Sequence, residues 1–221
     1  MLSIALIFAA LVSTAQADPH MWGVGPTVST VVFPVTYPGR LPTAVPSSFD
    51  YDGARLDVGV GGHAVLYLDN DSRLGLRAGL GGGGGWSNRF IDAEYERVLL
   101  TDAKFHMLGG VGLGLGAGSF TDPNEDLLQL NYALLRTQLS GIYRDKNKAY
   151  ELGLFAQYHV PLEHRYTPAG GQTETIKGKG SRYGSIGLEG TIYFGDFTPP
   201  KKKGKRRGGG NNNNGGGQRG R

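Results

Sequence analysis

His159 and Ser185 are the residues of this chain whose types could do nucleophilic chemistry. An imidazole within hydrogen-bond reach of a hydroxyl can take its proton, provided a third group orients the ring. No such group is identifiable in the surrounding AQYHVPLEHR, so the pair is a catalytic candidate and nothing more. A second cue is GGVGLGLGAG (109–118), in which Gly112 to Ala117 fits the glycine fingerprint of a phosphate-binding loop. That chemistry needs a helix directly after the glycines, with its N-terminus on the phosphate. The pattern recurs at Gly59 to Ala64 and Gly79 to Gly84, and no copy leads into a helical pattern. No cofactor is therefore expected. His63, His106 and His159 are a third cue, but they fall at different heights of the elements described below, without carboxylates clustered at matching depth, so no metal is expected. The chain has no cysteine, which excludes thiol catalysis, thiolate metal sites and disulfides.

The elements that must position these residues have a period of two. From Phe105, the odd positions Phe105, Met107, Val111, Leu113, Leu115 and Ala117 are apolar, while the even ones are polar or glycine apart from Leu108. That is strand alternation sustained well beyond the usual length. It recurs from Leu56 to Leu68, Leu74 to Leu80, Tyr150 to Val160 and Ile186 to Phe194. Less regular strands are expected over Phe90 to Leu100 and Gln129 to Tyr143. The least regular, Met21 to Val32, contains Pro26, which cannot donate to a sheet ladder. The sum is eight strands. The connections at 69–72, 101–103 and 144–148 are short and fall on one side. Those at 33–53, 119–128 and 163–180 are long and fall on the other, with a brief one at 84–89. The glycines then occupy mostly inward strand positions, where a narrow eight-stranded interior has little room for side chains.

This alternation points Arg55, Arg73, Arg77, Lys104 and Arg136 inward, against Asp57, Asp92, Glu94, Glu96, Glu151 and Glu189. Five positive groups against six negative could line an ion path. They could equally form a paired network filling a closed core, and the filling of small barrels by side chains favours the network. Arg97 falls on the outward face, which requires either snorkelling to a nearby interface or a bulge that shifts the parity. Trp22, Phe105, Tyr143, Tyr150 and Phe194 are expected outward near the short turns, and Trp86 and Tyr158 outward near the long loops. Two girdles of amphipathic rings suit a bilayer.

At its ends the chain changes character. Residues 1–17 are an apolar run closing on Ala15-Gln16-Ala17, expected to be a secretory signal peptide. Residues 199–221 hold eight of the 23 Lys and Arg, leaving fifteen basic against nineteen acidic side chains in 18–198, a body of −4 beside a tail of +8. The tail KKKGKRRGGGNNNNGGGQRGR has no apolar residue and is expected to be disordered. Export argues against nucleic acid as its partner and for anionic lipid headgroups or cell-wall carboxylates.

With alternating strands, asymmetric loops and the terminal strand YGSIGLEGTIYF (183–194), residues 20–194 resemble the small eight-stranded outer-membrane barrels of the OmpA- and OmpX-like group. The resemblance implies an antiparallel up-and-down transmembrane barrel over 18–198, in the outer membrane of a Gram-negative bacterium, with both termini periplasmic. It implies outer-membrane lipids and the barrel-assembly machinery as partners, the latter reading the aromatic end of the last strand at Phe194. It also implies a structural or adhesive role through the outer loops. The alternatives are a lipid-modifying enzyme using His159 and Ser185, although AQYHVPLEHR lacks the His-x-Ser pattern of lipid A deacylases, and a small-solute pore.

Overall fold

A computed structural model of the protein describes residues 21–33, 55–83, 86–102, 104–121, 124–177 and 183–198. The expected signal peptide, the loop after Phe33 and the basic tail lie outside the described residues. Nine strands are present among the described residues: β1 (Trp22–Phe33), β2 (Arg55–Tyr67), β3 (Ser72–Gly83), β4 (Trp86–Asp102), β5 (Phe105–Thr121), β6 (Leu127–Arg144), β7 (Lys148–Thr167), β8 (Glu174–Lys177) and β9 (Tyr183–Asp196). Each from β1 to β7 pairs antiparallel with the next, β7 pairs with β9, and β9 closes on β1, so eight strands form a ring. The ninth, β8, extends only the upper part of β7, pairing Glu163 with Lys177 and Tyr166 with Glu174. No helix among the described residues is long and apolar enough to cross a membrane. The crossing elements are the strands.

The wall is apolar outside and filled inside, as the two-residue period requires. Leu113 is 69% exposed, and Leu80, Val60, Leu152 and Leu154 are exposed around it. In water so much exposed leucine and valine would be a liability; facing lipid it is the stabilising surface. Inside, two apolar clusters bracket a charged middle. Toward the short turns, Met21, Val65, Tyr67, Leu108, Ile142, Ala149, Tyr193 and Phe197 pack together. Toward the other end, Trp86, Phe120, Leu128, Leu130, Tyr132 and Leu134 do so.

The glycine fingerprint has a steric cause. Gly112, Gly114 and Gly116 lie within β5, with no helix after them. A Cβ on Gly114 would strike the Ile91 carbonyl, and one on Gly116 would overlap the Tyr132 ring. These glycines make room for a neighbouring strand and for a lumenal aromatic.

Pro26 sits in a strand flanked on both sides. It is opposite Gly62 of β2, but the ladder to β9 is interrupted at Gly25 and Pro26, resuming at Thr27 with Thr191. The missing N–H therefore falls in a gap of the ladder. Two irregularities modify the register elsewhere. One lies between Val98 and Leu100 on β4, just past the outward, exposed Arg97. The parity is thus unshifted at Arg97, and the bulge comes on its short-turn side. The other adds Leu162 to β7 opposite Asn131 and Tyr132.

The expected long loops at 119–128 and 163–180 are shorter than their sequence suggested. Strands run to Thr121 and from Leu127, and β7 continues to Thr167 before a turn at 168–173. Above the apolar band both faces of a hairpin meet water, so alternation fades while the backbone pairing continues.

Candidate functional site

The chemistry-bearing residues converge in the lumen as two arginine-centred clusters. Arg73, from β3, is fully buried. Its Nε donates to Glu96 Oε2 at 2.5 Å and its Nη2 to Glu151 at 2.6 Å, joining β3 to β4 and β7. Gln138 of β6 donates to Glu96 Oε1 at 2.6 Å. One layer higher, Arg77 binds Asp92 at 2.9 Å, Glu94 at 2.7 Å and Glu189 at 2.6 Å. Arg136 of β6 shares Glu189 at 3.1 Å, and its guanidinium lies 3.7 Å from the centre of the Phe155 ring. His63 of β2 bridges the layers. The Tyr193 hydroxyl donates to Glu151 at 2.9 Å and lies 2.7 Å from His63 Nδ1, while His63 Nε2 lies 2.7 Å from Glu94.

Buried charge is costly unless paired, and each arginine here meets at least one carboxylate at hydrogen-bond distance. The network ties β2, β3, β4, β6, β7 and β9 across the ring. One lumenal void, beside Asp57, Phe90, Tyr132 and Arg136, is about 30 Å³. A second, beside Thr27, Arg77 and Glu189, is about 10 Å³. These hold a water or so, not a solute.

His63, Glu94 and Glu96 also stand close enough to surround a cation. Two arginines already occupy those carboxylates: Arg73 on Glu96 and Arg77 on Glu94. A divalent ion would have to displace them.

Of the expected inward charges, Asp57, Arg73, Arg77, Asp92, Glu94, Glu96, Arg136, Glu151 and Glu189 are buried. Asp57 stands above the others, accepting from Asn88 at 3.3 Å. The Arg55 side chain lies outside the described residues. Lys104 is a correction. It occupies the β4–β5 turn, 3.7 Å from Asp145 with both side chains well exposed, and its ammonium lies 5.8 Å from the Tyr143 ring centre. Alternation does not carry through a turn. Trp86 is the second correction: it is 7% exposed and packs inward against Phe120. Its parity on β4 is that of Asp92, Glu94 and Glu96, and the space above Gly118 receives the indole. Trp22, Phe105, Tyr143, Tyr150, Tyr158 and Phe194 are outward and exposed. Lys148 joins Phe194 at 5.6 Å as Lys104 joins Tyr143, a lysine-and-ring pattern suited to a membrane interface.

His159 and Ser185 do meet. Ser185 Oγ lies 3.4 Å from His159 Nε2 and 3.4 Å from Gln157 Oε1, through the register that sets Gln157 opposite Ser185. Both are buried, at 4% and 2% exposure, beside the Tyr132 ring and the 30 Å³ void. An acyl substrate has no room there. Sequence reasoning missed Phe197, buried beyond the last strand, the partnership of Tyr193 with His63, and the fully buried His164. The first two were signalled only by position: one aromatic follows Asp196, and the other shares the inward parity of Glu189.

The architecture is that of an eight-stranded antiparallel transmembrane barrel. No protein-family model matches the chain, and no curated protein does. Among solved structures, Neisserial surface protein A is similar with a TM-score of 0.51 and 13% identity, over 79% of this chain and 96% of that one. A major outer membrane protein from Thermus thermophilus aligns with a TM-score of 0.43 and 11% identity, over 77% and 99%. The outer membrane protease OmpT from Escherichia coli aligns at 0.36 and 6%, over 82% and 99%. At 13% identity, the likeness to the Neisserial protein is one of fold.

Proposed function

We propose that this chain is an outer-membrane barrel of the OmpA- and OmpX-like kind, acting as a sealed scaffold that presents its upper hairpins for structural or adhesive contact. The observation that carries this reading is the lumen: two arginine clusters between two apolar plugs, with voids of only about 30 and 10 Å³ beside Arg136 and Arg77. A pore is disfavoured for the same reason. The short turns and both chain ends lie on the periplasmic side in this reading, with the hairpin tip at 168–173 outside. Its partners are outer-membrane lipids, the barrel-assembly machinery and, through the basic tail, anionic headgroups or cell-wall carboxylates rather than nucleic acid.

The second reading, lipid modification by His159 and Ser185, is favoured by their 3.4 Å contact and opposed by their burial. Lipid A mass spectra and surface adhesion, compared in cells with and without the protein, separate the two. The scaffold reading expects an unchanged acyl pattern and adhesion that falls when 168–173 is replaced by glycine and serine. An acyl pattern that shifts with the protein and reverts with Ser185→Ala would establish the enzyme instead.

A further inference from the structure

The outer wall carries a polar indentation where lipid-facing residues give way to the upper hairpins. Across neighbouring strands the register aligns Leu80, Arg89, Ala117, Asn131 and Glu163 in one outward row. The row above holds Ser87, Ser119, Gln129 and Arg165. Arg89 and Arg165 stand at the two sides, three strand spacings or about 14 Å apart across the sheet and two residues apart along it. Between them, small Ala117 and Ser119 leave a hollow of about 430 Å³ that both arginines line. Glu163 accepts from Arg165 Nε at 2.5 Å, and Arg89 has no ion pair among the described residues. The charged side chains that line the hollow are two arginines, one of them bound to the neighbouring Glu163.

Directly below lies an apolar depression of about 700 Å³ that shares Leu80, Arg89 and Ala117 with the hollow. Its walls are Leu80, Ile91 and Leu115, and its floor is low because the outward Ala78 adds little side chain. The two hollows form one amphipathic surface, acyl-shaped below and cationic above. Guanidinium groups bind phosphate oxygens in pairs, which suits them to a phosphate rather than to a neutral sugar.

We infer that this surface binds a phosphorylated, acylated lipid of the outer leaflet, with its phosphate between Arg89 and Arg165 and a chain along Leu80, Ile91 and Leu115. This rests on the orientation proposed above, which puts the indentation in the outer leaflet. A free phosphate or a soluble acidic peptide would leave the apolar half unused.

The test is native mass spectrometry of the full-length barrel in mild detergent with lipid A and with its dephosphorylated counterpart. Heat-modified electrophoretic migration checks folding, and membrane fractionation checks location. Wild type should retain lipid A about tenfold better than the dephosphorylated lipid, and Arg89→Gln/Arg165→Gln should lose about that factor, as expected for charge-assisted bonds to phosphate. Arg97→Gln, an outward arginine near the opposite rim, should retain lipid A like wild type. Equal retention of the two lipids, or equal retention by wild type and the folded double variant, overturns the site. Selective retention by a barrel that fractionates away from the outer membrane would keep the site and sink the location.

Discussion

Arg77 binds carboxylates from β4 and β9, so its removal takes the ion-pair partner from buried Asp92 and one of two from Glu94 and Glu189. Arg77→Ala should destabilise the barrel by about 3–5 kcal/mol, read from urea unfolding out of lipid vesicles. Lys104→Ala, at the exposed turn, should leave the same unfolding curve unmoved, and a loss comparable to that of Arg77 would return Lys104 to the lumen. Glycines make a similar contrast. Gly116→Ala drives a methyl into the Tyr132 ring, whereas nothing lies within 4 Å of a Cβ on Gly190. The first should destabilise; the second should be neutral or stabilising by up to about 1 kcal/mol, since it lowers the entropy lost on folding. The buried charges were legible in the sequence because each sits on a strand whose opposite face is apolar. Their partners were not, since register and side-chain direction across the ring decide that Arg77 meets Glu189 and that Tyr193 meets His63.

Each strand is written by two-residue alternation, and it was legible wherever one face meets lipid and the other a packed lumen. It failed where that contrast ends. Trp86 follows a glycine run that carries no parity signal, and the β7–β8 hairpin loses alternation above the apolar band. Within the band the rule should be strict. Leu113→Arg on β5 should cost about 2–4 kcal/mol, the midplane penalty for arginine on a barrel exterior. The same vesicle unfolding measures it, and a loss below about 0.5 kcal/mol would reverse the face assignment. After β9 the chain turns Phe197 into the lower plug, where it meets Tyr67 and Tyr193 edge-on at 6.4 and 6.3 Å. Phe197→Ala should therefore destabilise by about 3–5 kcal/mol, although it lies beyond the last strand. Unchanged stability would show that Met21 and Tyr67 close that end without it.

Eight strands in the ring put the start of β1 and the end of β9 on one side of the molecule, with the short turns. Deletion of residues 199–221 should leave the barrel folded, because Phe197 is retained and the removed segment has no apolar residue to bury. Failure of the truncated chain to reach a heat-modifiable folded form would give that segment a structural role. If the segment attaches to anionic headgroups or cell-wall carboxylates, the attachment should weaken as salt rises, since exposed charges are screened over about 10 Å at 0.1 M. The central claim for the whole molecule is that two apolar plugs and the arginine clusters between them close the lumen. Planar-bilayer recording from the full-length purified protein tests it most directly. The sealed barrel predicts a flat current at either polarity, and reproducible unitary steps from the folded wild type would contradict it.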